Sequence, residues 1–184
     1  MHAPEEARHV PKILFECGVK FVIVERLLHA DIDGVCFWEK NTPIVGLSMR
    51  HDRIDNFWFV LRHEIEHVLL KHGQSTEMID NLDGVRGLVS DQLPKEERMA
   101  NSAAAEFCAP KLDNFLQRKQ PHPSERDIIA FAHLNNRHPG LIVGQIRKRL
   151  DRYDYLTRHL AKIRQFIMPD AIVDGWGQTV PVDL

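Results

Sequence analysis

Apolar residues recur along the chain with two different periods, and each change of period marks a boundary between elements. Val10, Ile13, Leu14 and Cys17 fall at i, i+3, i+4 and i+7, which predicts a short helix with Pro4 or Pro11 in its first turn and Gly18 as its stop. Three β-branched or aromatic stretches follow, Phe21 to Val24, Val35 to Trp38 and Ile44 to Leu47, and these predict strands. The second follows the turn signal Asp31-Ile32-Asp33-Gly34 and the third follows Asn41-Thr42-Pro43, so a short connection predicts that these two pair antiparallel. A long helix comes next. Ile54, Phe57, Trp58, Leu61, Ile65, Val68 and Leu69 form one stripe, with Asp52 or Asp55 as its cap and Gly73 as its stop.

Residues 74–94 carry Gly84, Gly87, Pro94 and several acids, which predicts an irregular segment. A second helix is expected from Pro94 to near Pro110. Residues 124–135 and 140–166 are expected to be helical, capped by Ser124 and separated at Pro139-Gly140. The expected architecture is α+β, a small antiparallel three-stranded sheet packed on helices. It forms a single domain over 1–184, with its core at about 20–168 and an extended tail at 169–184.

Composition narrows the function classes. The longest uninterrupted apolar runs, such as Phe57 to Leu61, are far too short to span a bilayer. The residues after Met1 (Glu5, Glu6, Arg8) do not read as a secretion signal. Cys17, Cys36 and Cys108 are an odd number without a C-x-x-C pair, which fits reduced thiols in a cytoplasm. A net charge of -2 gives no global attraction to nucleic acid or anionic membrane. Charge is uneven, however: residues 137–164 hold eight Lys/Arg and two acids, which reads as a solvated helix face rather than a nucleic-acid surface. Trp176 in the tail has no evident place in a core.

Eleven histidines direct attention to their spacing. His63-Glu64-Ile65-Glu66-His67 is an H-E-x-x-H motif on the long helix, where residues four apart share a face and both imidazoles can reach one metal ion. Glu64 lies one step round the helix, where it can take a proton from a water molecule at the metal's open position. The bland alternative is two surface histidines on an amphipathic helix. A catalytic zinc needs a third protein ligand, and the second helix offers Glu96, Glu97 and Glu106. Glu97 is preferred and Glu106 is the fallback. Asn101, four residues beyond Glu97, can hydrogen-bond a ligating side chain, and Ala100, Ala103, Ala104 and Ala105 keep that helix slim. Manganese suits such a His/His/Glu set as well as zinc does. His138 or His133 is a candidate for stabilising an oxyanion. His72 follows the motif closely but is rotated off the His63–His67 face, which points to a surface or capping role rather than ligation.

The stretch from Phe57 to Leu70, followed by Glu97-Arg98-Met99-Ala100-Asn101 and closing on Ala104-Ala105 and Pro110, resembles the ImmA/IrrE family of metallopeptidases. That family's pattern is H-E-x-x-H, then E-x-x-A-N with small residues, ending in a proline. His138-Pro139-Gly140-Leu141-Ile142-Val143 also resembles the peptidase domains fused behind a helix-turn-helix in HigA-type antitoxin regulators. The likeness extends over roughly residues 20–150. Glu66 departs from it, standing where the family usually has a small residue, as does Ala103, where it often has Phe. The resemblance implies a zincin-like fold and a metal-dependent peptidase. Its substrate would be a helix-turn-helix repressor or antitoxin, cleaved to relieve transcriptional repression. The alternative is a sensor or partner-binding module of the same fold, acting in a toxin–antitoxin or transcription complex without turnover. Direct nucleic-acid binding is not expected.

Overall fold

The computed structural model describes residues 1–25, 31–74, 76–80, 93–119, 122–168, 171–173 and 179–181. A 3-10 helix at Pro4–His9 runs into α1, Val10–Glu16, and each has a proline in its first turn, where a missing N–H costs nothing. Gly18, at φ 77°, ends the segment. Strands β1 (Lys20–Val24), β2 (Gly34–Glu39) and β3 (Thr42–Ser48) then lead into helix α2, Ile54–Leu69.

The sheet departs from the expected three antiparallel strands. Among the described residues it has four strands in the order β1-β3-β2-β4 and is mixed, with β4 at Met78–Asp80. β2 and β3 form the expected antiparallel hairpin, with Cys36 opposite Val45. β1 lies on the far side of β3 and runs parallel to it, Phe21 opposite Val45, while β4 pairs antiparallel with β2. The local pattern does not show this arrangement. β1 reads Phe-Val-Ile-Val, apolar on both faces, so alternation leaves its neighbour undetermined. The three residues of β4 are too few for a period.

Helix α2 lies against one face of the sheet. Ile54, Phe57, Trp58, Phe59, Val60 and Leu61 join Val45 and Leu47 of β3 and Val10 and Leu14 of α1 in the main core. Its predicted stripe thins toward the C-terminus, where Leu69 is exposed. Neither acid caps it. Asp55 sits inside the first turn, paired with Arg53 at 3.1 Å. Asp52 instead accepts the backbone N–H groups of Ile163 and Arg164, each at 2.9 Å, so a distant segment competes successfully for its carboxylate.

Helix α3, Lys95–Cys108, packs closely on α2 because Ala100 and Ala104 bring no side-chain bulk to the contact, and both are wholly buried. Helices α4 (Leu112–Arg118), α5 (Glu125–Leu134) and α6 (Pro139–Leu150) form a second apolar cluster around Ile128, Ile142 and Ile146. Ser124 caps α5 in a reciprocal box with Asp127, as its position predicts. The expected helix over 140–166 stops at Asp151, which takes a left-handed conformation (φ 50°). A 3-10 turn at Thr157–His159 and a short α7 at Arg164–Ile167 follow. In the tail, β5 (Ala171–Val173) pairs with β6 (Thr179–Pro181), while Gly84, Gly87 and Trp176 lie outside the described residues.

Among the described residues, no helix is long and apolar enough to cross a membrane. All three cysteines are free thiols; Cys36 and Cys108 are buried, and burial pushes the Cys108 thiol well above its usual value. Several basic residues after α5 pair with acids: Arg149 with Asp113 of α4 at 3.2 Å, Arg158 with Glu125 of α5, and Arg152 with Asp154 two residues on at 2.9 Å.

Candidate metal centre

Helical spacing brings His63 and His67 onto one face of α2, and their Nε2 atoms stand 3.0 Å apart, both rings fully buried. The Glu97 carboxylate reaches the pair from α3, with Oε2 3.2 Å from His63 Nε2 and Oε1 3.4 Å from His67 Nε2. Tetrahedral zinc with nitrogen and oxygen donors at its usual bond lengths holds them about 3.3 Å apart. The three separations match that figure, and the donor set of two imidazoles and one carboxylate is one a divalent cation fits. Glu106, the fallback ligand, lies at the far end of α3, where its carboxylate accepts the Lys111 backbone N–H, and Glu96 faces solvent.

Glu64 is fully buried beside this group. Its neighbour is Gly34, the first residue of β2: a Cβ built there would run into Glu64 Oε1, with Glu64 Cδ and Val60 Cγ1 each only 2.8 Å away. Sequence reading takes Gly34 as a turn residue, but here its lack of a side chain lets the sheet approach the carboxylate. Arg50 secures that strand end by donating to Asp33 at 3.1 and 3.2 Å and to Asp31 at 2.8 Å. No local signal announces the Gly34–Glu64 contact.

The remaining candidates sort differently. Asn101 lies on the Glu97 face of α3, but its buried Oδ1 accepts no hydrogen bond from a described residue. His138 is the N-cap of α6: its Nδ1 accepts the Gly140 N–H at 3.0 Å, and its own backbone N–H donates to Met1 at 2.7 Å. Burial and, secondarily, the nearby His159 hold its imidazole below the usual histidine range. That ring is thus committed to a helix end, which argues against the oxyanion role, and His133 is exposed on α5. The charge of Glu66 is answered by Arg62, 2.6 Å away on the same helix.

His72 stays off the ligating face, as expected, but is half-buried rather than at the surface. Its Nδ1 lies 3.0 Å from Nδ1 of His67, on the side of that ring away from His63 and Glu97. Helical periodicity does not show this contact, because α2 ends at Leu69 and the chain turns back before His72.

No curated protein matches the chain. Residues 19–137, which include all of α2 and α3, match the peptidase family described as the IrrE N-terminal-like domain. With well over half of its length covered by that match, the chain belongs to the ImmA/IrrE family of metallopeptidases.

Proposed function

We propose that the chain is a zinc-dependent peptidase that cleaves a helix-turn-helix repressor or antitoxin in the cytoplasm and so relieves transcriptional repression. The observation that carries the reading is the approach of Glu97 to the His63–His67 pair, with the buried Glu64 carboxylate beside them. The substrate class rests on the family resemblance alone.

His63, His67 and Glu97 would hold the ion. When bound, zinc supplies Lewis acidity, which makes a water molecule acidic near neutral pH and polarises a scissile carbonyl. Glu64 then works as the proton carrier: a carboxylate oxygen takes the proton from the attacking water and returns it to the departing amine nitrogen. Gly34 keeps that carboxylate in place by leaving it room. Manganese in the same ligands would permit the same proton traffic.

The sheet supports one place for the substrate. Gly34, whose missing side chain leaves room for Glu64, pairs with Asp80 of β4, and β4 is the edge strand on that side of the sheet among the described residues. An extended peptide added along that edge would pass the site in a strand-addition mode. N-methylation of alternate backbone amides in a substrate peptide should then slow cleavage, and indifference to it would rule the mode out.

The central experiment incubates purified protein with candidate repressors, with and without zinc, and maps products by mass spectrometry. Wild type should cleave and Glu64→Gln should not, while both retain about one zinc per chain, a stoichiometry that follows from a three-ligand site. Equal biological output from Glu64→Gln would favour the sensor reading instead.

A further inference from the structure

Helix α2 ends at Leu69, and the chain then turns through Lys71 (φ 59°) and Gly73 (φ 79°). Two left-handed residues so close together fold the chain back on the helix it has just left. Gly73 rests on β2 so tightly that a Cβ would lie 2.7 Å from the Cys36 carbonyl oxygen. His72 between them is held at three points. Its backbone N–H donates to the His67 carbonyl at 2.8 Å, and its own carbonyl accepts the Trp38 indole N–H at 2.7 Å. Its ring meets the His67 ring, Nδ1 to Nδ1, at 3.0 Å.

The direction of that last bond follows from which nitrogen of His67 is already engaged. Nε2 faces His63 and Glu97, so a lone pair offered to a cation must come from Nε2. A neutral imidazole carries one proton, which then resides on Nδ1 and must be donated outward. The Nδ1 of His72 is the acceptor it meets, and this places the His72 proton on its own Nε2. Partners of this kind fix the tautomer and the ring plane of a ligating histidine.

We propose that His72 is a positioning residue for the metal centre: it accepts the Nδ1 proton of His67 and so holds Nε2 toward the site. This rests on the metallopeptidase reading above. Trp38 and Gly73 extend the arrangement into the sheet, because they set the backbone from which the His72 ring projects. The centre is thereby built from α2, α3 and the turn clamped to β2.

The test compares His72→Asn, whose side-chain oxygen can accept the same hydrogen bond, with His72→Leu, of similar size but without an acceptor. Zinc affinity is measured by competition with a chromophoric chelator, and the visible spectrum of the cobalt-loaded protein reports the ligand field independently of turnover. His72→Leu should bind zinc about 10- to 100-fold more weakly, while His72→Asn stays within about threefold of wild type and keeps the cobalt spectrum. If His72→Leu does not fold, His72→Lys, a donor without an acceptor, takes its place in the comparison. Equal zinc affinity in wild type and the variant lacking an acceptor overturns the inference and leaves the peptidase reading standing. So does equal weakening in both variants, which is what a purely structural role would give. Failure of wild type to bind zinc any better than His63→Ala overturns both.

Discussion

Helices α2 and α3 meet at the same centre but are built on opposite plans. Over Ile54–Leu69, α2 buries ten side chains, among them Phe57, Trp58 and Leu61 as well as His63, Glu64 and His67. Over Lys95–Cys108, α3 buries only Ala100, Ala104 and Cys108, and its Glu97 keeps a little contact with solvent. The first is fixed by bulk, since its imidazoles are anchored in a packed core whatever else binds there. The second is fixed by thinness, since the two alanines let it lie close enough for one carboxylate to reach across. It follows that α2 supplies a preformed half of the site, and that a bound cation matters more to the order of α3.

The largest test of this division concerns the two carboxylates. Glu64→Gln should lower peptide cleavage by at least about 100-fold with zinc content unchanged, because it removes a proton carrier and no ligand. Glu97→Gln should instead lose zinc, read by elemental analysis. If both variants fail in the same way, the contrast between the helices is wrong. Gly34→Ala comes next. The new methyl group must displace Glu64 or β2, so cleavage should fall about tenfold or more, with a stability loss of about 1–3 kcal/mol, as for other overpacked sites. Measurement of both quantities on one preparation checks it.

Ala104→Leu should force α3 off α2 at a cost of about 1–3 kcal/mol, and zinc affinity should fall with it. A leucine accommodated without loss of affinity would show that α3 is not held by close approach. Chelation of the zinc-loaded protein should then lower amide protection in α3 more than in α2, measured by hydrogen exchange. The smallest effect belongs to a region remote from both helices. Ser124→Ala should cost about 1 kcal/mol through loss of the α5 cap, leaving zinc binding untouched. Lys119 and then Ser124 hold the Asp127 carboxyl down at about 2, below its unfolded value. A depressed carboxyl stabilises the fold above its unfolded pKa, so this contribution should fade as pH falls from about 4 toward 2, seen in acid titrations of wild type against Asp127→Asn.

Sequence reading served α2 and α3 well because their chemistry is local. An i, i+4 histidine pair must share a face, and Glu97 with Asn101 and a run of alanines identifies one face of a slim helix. It failed where residues meet from distant parts of the chain. Gly34 looks like any turn glycine until Glu64 is beside it, and Asp52 looks like a helix cap until the backbone at Ile163 and Arg164 claims it. The contact of His72 with the His67 ring is hidden because a helical wheel assumes a helix, and α2 ends at Leu69. The parallel placement of β1 depends on which edge of the hairpin it joins, a choice that a strand apolar on both faces does not encode.

The hydrogen bonds from residues 163 and 164 to Asp52 also bear on where the protein can be shortened. The family match ends at residue 137, but Ile163 is wholly buried in the main core, and the Ala161 carbonyl accepts the N–H of Ile54 at the first turn of α2. The later segment acts as a clasp on the root of the helix that carries both imidazoles. A version trimmed to the family boundary would keep every proposed ligand and still leave that root open to water, so the smallest piece worth producing for metal-binding work extends through residue 168.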